Sequence, residues 1–111
     1  MKPLKVGSLE LATLLAVARL GDDAYGLAVR ADLEDRTGRR HSVGAVYTTL
    51  RRLEEKGFLS STASEPIPIR GGRSRRHFAI TGAGAKALRG AERSSIALWT
   101  GFGAQHRPRL V

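Results

Sequence analysis

The sequence predicts a mostly helical α+β fold, with three helices, a two-stranded hairpin and a last helix in that order. Three observations carry this prediction. Apolar residues recur at helical spacing behind cap-type residues, as where Ser42 precedes Val43, Val46, Leu50 and Leu53. Two short β-compatible runs flank a stretch rich in proline and glycine. The 111 residues leave room for one hydrophobic core, and with only 5% aromatics it must be built mainly of Leu, Val and Ala.

Ser8 is a good N-cap for a helix from Leu9 to Leu20. That segment is apolar nearly all round, so it is expected to be covered on two sides. In so small a chain the second cover is most simply another subunit, with Leu11 and Leu15 in the contact. Gly21 ends the helix, and Asp22 or Asp23 can cap the next, from Ala24 to Thr37, with Tyr25, Val29 and Leu33 on one face. Gly38 stops it, and Arg39, Arg40 and His41 form a basic turn.

The third helix is the clearest. At 100° per residue, Val43, Val46, Leu50 and Leu53 fall within a sector of about 80°, with Gly44, Thr48, Arg51, Arg52 and Glu55 opposite. Gly57 closes it. Phe58 to Ser64 and Arg75 to Ile80 read as strands, and Glu65 to Ser74 as the loop between them. Thr81 can cap a final helix reaching about to Gly101. Leu88, Ala91, Ser95, Leu98 and Phe102 follow heptad-like spacing there, with Trp99 beside them. Gly84 and Gly90 would each cost about 1 kcal/mol in an isolated helix, so this one needs a packing partner. From Gln105 onward the tail is expected to fray. The predicted division is a reading unit over residues 1–81 and a dimerisation helix with its tail over residues 82–111.

Lys and Arg number 19 against 10 Asp and Glu, a net charge of +9. Only Lys2, Lys5, Lys56 and Lys86 are lysines, and guanidinium groups suit bidentate contacts to phosphate and guanine. A GC-rich genome accounts for part of the preference for Arg, but not for the excess of positive charge. The absence of cysteine excludes disulfide frameworks, thiolate metal sites and cysteine nucleophiles. His41, His77 and His106 are too scattered to propose a metal site, and no cofactor is expected. No catalytic constellation can be assembled, so the chain does not read as an enzyme. Gly82-Ala83-Gly84-Ala85-Lys86 lacks the spacing of a phosphate loop. With no membrane-length apolar run and no signal-peptide pattern, a cytoplasmic protein is expected.

The order of elements is that of a winged helix-turn-helix. Ser42, Gly44, Ala45 and Thr48 give the third helix a slim start that suits entry into a major groove. For Ser42, capping is a sufficient explanation, and a base contact is the alternative. Arg51 and Arg52 could pair along the helix with Glu54 or Glu55, but phosphate contact is favoured for Arg51. Tyr25 and Tyr47 are each divided between a core role and a hydroxyl contact to phosphate. The hairpin tip holds Arg70, Arg73, Arg75 and Arg76 within seven residues and no acid, a pattern suited to the DNA backbone or minor groove. The rival reading is a basic winged-helix module that binds RNA or a protein. The wing tip lacks the aromatics on which RNA bases would stack.

Leu14-Leu15, Tyr25-Gly26, Val43 to Tyr47, Leu50 to Leu59 and Gly71 to Thr81 together resemble the PadR family of transcriptional regulators, in order over about Leu9 to Leu88. The resemblance implies a dimeric winged-helix repressor of the short type, which binds an inverted repeat and joins its subunits through the last helix. It implies DNA-backbone roles for Tyr25 and Tyr47 and a groove-facing role for Ser42, Gly44, Ala45 and Thr48. Thr48 stands where many members have proline, and Leu27 where a second tyrosine is common. Leu88, Ala91, Ser95, Leu98, Trp99 and Phe102 would join the dimer interface. In some members a tryptophan of the last helix contacts a flat aromatic effector between subunits. For Trp99 that role and a core or interface role both stand, the latter favoured.

Overall fold

In the computed structural model, residues 8–66 and 74–102 are described. Helix α1 (Ser8–Leu20) leads through a 3-10 turn at Gly21–Asp23 into α2 (Gly26–Thr37) and α3 (Val43–Glu55). Strands β1 (Leu59–Pro66) and β2 (Ser74–Ile80) pair antiparallel, and α4 (Gly82–Trp99) follows. Leu14 and Val17 of α1, Val29 and Leu33 of α2, Val46, Leu50 and Leu53 of α3, and Leu59 and Phe78 of the sheet form one buried cluster. Truncating one of these leucines to alanine would cost about 2–5 kcal/mol.

The second helix starts later than the sequence predicts, and neither Asp22 nor Asp23 caps it. Tyr25 is the N-cap, in extended conformation and without a side-chain cap bond. The sheet causes the delay. The Phe78 N–H donates to the Ala24 carbonyl at 2.9 Å, and Tyr25 forms an isolated antiparallel bridge with His77. Residues 24 and 25 are thus drawn out as a short third rung against β2. Gly38 ends α2 in the left-handed conformation, φ 71°, and its N–H donates to Glu34.

Ser42 caps α3 as expected, its Oγ accepting from the Ala45 N–H at 3.0 Å. The buried face differs in one respect: Val43 is 43% exposed, while Thr49 is buried. Thr49 can be buried because its hydroxyl donates to the Ala45 carbonyl at 2.8 Å, which satisfies it within the helix. Both strands reach further into the expected loop than predicted. The register pairs Leu59 with Ile80, Ser61 with Phe78 and Ala63 with Arg76, then shifts between Ala63 and Pro66.

The root of α4 is clamped to the end of α3. Thr81 Oγ1 caps α4 by accepting from the Gly84 N–H at 3.0 Å, and donates to the Gly57 carbonyl at 2.6 Å. Gly84, costly in an isolated helix, is required by its packing here: a Cβ there would lie 2.1 Å from the Phe58 carbonyl oxygen. Beyond this root the helix leaves the body. Every residue from Glu92 to Phe102 is exposed, and the molecule measures 58 × 34 × 21 Å along its principal axes.

Candidate nucleic-acid interface

The outer flank of α3 is open. Ser42, Gly44, Thr48, Arg51 and Arg52 are exposed and Ala45 is half-buried. Nothing would meet a Cβ at Gly44, so the start of the helix presents a low surface to whatever approaches it. The preceding turn is pinned: Arg30 Nε donates to the His41 carbonyl at 2.6 Å, and Thr37 Oγ1 accepts from the Arg39 N–H at 3.1 Å.

The wing reaches the same surface from β2. Its inner face reads Ile80, Phe78 and Arg76, passing from half-buried through buried to exposed. Arg76 Nη1 donates to Ser61 Oγ at 2.9 Å, and Ser61 Oγ donates to Glu54 Oε2 at 2.7 Å. Arg75 takes another direction. Its Cζ lies 4.3 Å from the centre of the Tyr25 ring, a cation–π contact. His77 meets the same ring edge-on, with centroids 5.3 Å apart. His77 Nε2 is 3.0 Å from the Gly21 carbonyl oxygen; because that oxygen can only accept, Nε2 carries the proton.

Tyr47 joins these parts. A Cβ at Gly26 would fall 2.2 Å from both Cζ and Oη of Tyr47, so the phenol tip rests on the first residue of α2. One basin of about 400 Å³ lies to one side, lined by Tyr25, Gly26, Leu27, Ala28, Tyr47, Arg75 and the acidic Asp23. A second, of about 320 Å³, is lined by Tyr47, Arg51, Glu54, Arg76 and Phe78. The start of α2, which borders the first basin, has no side-chain cap, and a helix N-terminus carries the positive end of its dipole.

The sequence-predicted residues therefore fall into groups. Tyr25, Tyr47 and Arg75 share the first basin, and Tyr47, Arg51 and Arg76 the second. Ser42, Gly44, Ala45 and Thr48 line neither basin and lie along the start of α3. Arg70 and Arg73 lie outside the described residues. Sequence reasoning missed Gly26, the seat for Tyr47, and the Glu54–Ser61–Arg76 chain. Two tyrosines beside a glycine hint at the first, while the second depends on strand register.

The residues predicted for subunit contact collect elsewhere. Leu11 and Leu15 of α1 and Leu88, Ala91 and Ser95 of α4 line an open groove of about 480 Å³, joined by Ile96, which the heptad reading passed over. Leu98 is 85% and Trp99 64% exposed, and Trp99 meets Phe102 edge-on at 5.4 Å. These three residues do not line the groove but extend beyond it along α4. Among the described residues no helix is long and apolar enough to cross a membrane, and no group of three or more His, Cys, Asp or Glu could hold a metal ion.

Residues 14–90 match the model of the transcriptional regulator PadR-like family. Solved structures are similar over nearly the whole chain. A PadR family transcriptional regulator from Eggerthella lenta is 28% identical, with TM-score 0.64, over 91% of this chain and 89% of that one. RosR of H. salinarum is 22% identical, with TM-score 0.72, over 96% of this chain and 87% of its own. A PadR-like transcriptional regulator from Bacillus cereus is 20% identical, with TM-score 0.69, over 91% and 93%. The last two speak for the fold alone. No curated protein matches the chain.

Proposed function

Because this chain belongs to the PadR-like family, a family of transcriptional regulators and not of enzymes, we propose that it acts in the cytoplasm as a homodimeric repressor on an inverted-repeat operator. One observation carries the DNA reading. The open flank of α3 and the arginines of β2 belong to one surface and meet at Tyr47, where both basins are lined by both elements. In this reading Ser42, Gly44, Ala45 and Thr48 enter the major groove. Tyr25, Tyr47, Arg51, Arg75 and Arg76 take the phosphates, and Arg70 and Arg73 extend the grip of the wing. Of the wing's described rings, Phe78 is buried and His77 packs edge-on against Tyr25, which disfavours a stacking platform for RNA bases.

The dimer reading is supported by the apolar groove between α1 and α4, which Ile96 helps to line, and by the exposed Leu98, Trp99 and Phe102 beyond it. Residues 1–81 then read DNA and residues 82–111 join the copies. Two recognition helices about 34 Å apart would meet successive major grooves. A flat aromatic effector against Trp99 is the further expectation for that interface. The test is a gel shift and anisotropy titration on the DNA just upstream of the chain's own reading frame, over a salt series. Specific binding that weakens steeply with salt is expected; equal binding to unrelated duplexes would overturn the operator reading.

A further inference from the structure

We propose that Glu54 and Ser61 form a positioning pair for the wing, in which the carboxylate of α3 orients a strand hydroxyl so that it holds the Arg76 guanidinium toward a DNA phosphate. The inference rests on the DNA-binding reading above. Glu54 motivates it, because an acid on the basin lined by Tyr47, Arg51 and Arg76 opposes a polyanion unless it does something else there.

The geometry supplies that other task. A hydroxyl has one proton to donate and two lone pairs to offer. Ser61 donates its proton to Glu54 Oε2 at 2.7 Å, which turns its lone pairs away from the carboxylate, and Arg76 Nη1 donates to it at 2.9 Å. Ser61 and Glu54 are both half-buried, where a carboxylate polarises the hydroxyl and strengthens the second bond. The strand register makes the pair possible. Ser61 stands opposite Phe78 and Ala63 opposite Arg76, so Ser61 and Arg76 are diagonal neighbours on the inner face.

Carboxylate and guanidinium are linked only through the hydroxyl, since no ion pair joins Glu54 to Arg76 among the described residues. A direct pair would neutralise Arg76. The relay occupies one of its five N–H donors and leaves the rest for phosphate, while restricting a side chain that would otherwise spread over many rotamers.

Ser61→Ala in the full chain is the decisive variant, because it changes no charge. A change in salt dependence then acts through a side chain that Ser61 holds, Arg76 or Glu54, and the Arg76→Ala background tells the two apart. Affinity is read by anisotropy on a labelled duplex taken from upstream of the reading frame, across a salt series, with thermal unfolding as a check on the fold. Ser61→Ala is expected to weaken binding roughly three- to tenfold and to lower the slope of log affinity against log salt by up to about 0.9, as Arg76→Ala does. In an Arg76→Ala background it should add nothing. Glu54→Gln, whose amide oxygen still accepts from Ser61, should keep the slope, and Glu54→Ala should lose it. A wild type without salt-dependent binding overturns the DNA reading and this inference together. Salt-dependent wild-type binding with an unaltered slope in Ser61→Ala overturns the positioning pair alone, as does a Ser61→Ala effect that persists without Arg76.

Discussion

The face built by α3 and the wing and the far end of α4 are made on different terms. On the first, functional groups are held by other parts of the same chain. Gly26 seats Tyr47, Arg75 and His77 hold the Tyr25 ring, and Ser61 holds Arg76. On the second, Leu98, Trp99 and Phe102 stand in solvent, with one ring contact between the two aromatics. A charged surface is stable in water and can be arranged in advance. An apolar one of this kind is stable only when covered. In the dimer reading proposed above, the first surface is assembled within one copy of the chain, and the second calls for a cover.

That contrast can be broken most forcefully at α4. Replacing Ile96 and Leu98 together with Asp should yield a monomer by light scattering and lower affinity for an inverted repeat by about a hundredfold or more, as avidity is lost. Binding to unrelated duplex should survive. A dimer that persists would remove α4 from the interface. Gly26→Ala should do the reverse. Its new Cβ would sit 2.2 Å from the Tyr47 phenol, so Tyr47 must move. Stability should fall by about 1–3 kcal/mol in urea unfolding, and DNA affinity should fall while the dimer remains.

Arg75→Ala is a finer probe. It should weaken all duplexes alike and lower the salt slope by about 0.9, with no effect on assembly. An unchanged slope would take Arg75 off the DNA backbone and leave it a supporting role beside Tyr25. The smallest effect is expected from Ser42→Ala, which removes a cap worth about 1 kcal/mol. If specific affinity falls by no more than that loss of stability explains, Ser42 is a cap and makes no base contact.

How much of this was legible in the sequence depended on whether a contact was local. Ser42 and Thr81 were readable as caps because a cap bonds within its own first turn. The stripe of Val46, Leu50 and Leu53 was readable from period alone. The delayed start of α2 was not, because the pull on Ala24 and Tyr25 comes from β2, more than fifty residues away. Gly84 is half legible for the same reason. Its cost within a helix is a local property, while its necessity comes from the Phe58 carbonyl. The two basins were half legible: their arginines and tyrosines could be named, but not the glycine, serine and glutamate that hold them in place.

In the proposed dimer, the clamped root of α4 would work like the pivot of a pair of calipers. A helix of 18 residues spans about 27 Å, so tilting it by about 10° at Thr81 and Gly84 carries its tip roughly 5 Å sideways. Two copies joined at their tips would separate or close by a comparable amount, more than the rise of one base pair. The tightness of the Gly84–Phe58 approach would then govern which spacing between half-operators the pair can span, from a point outside both proposed surfaces.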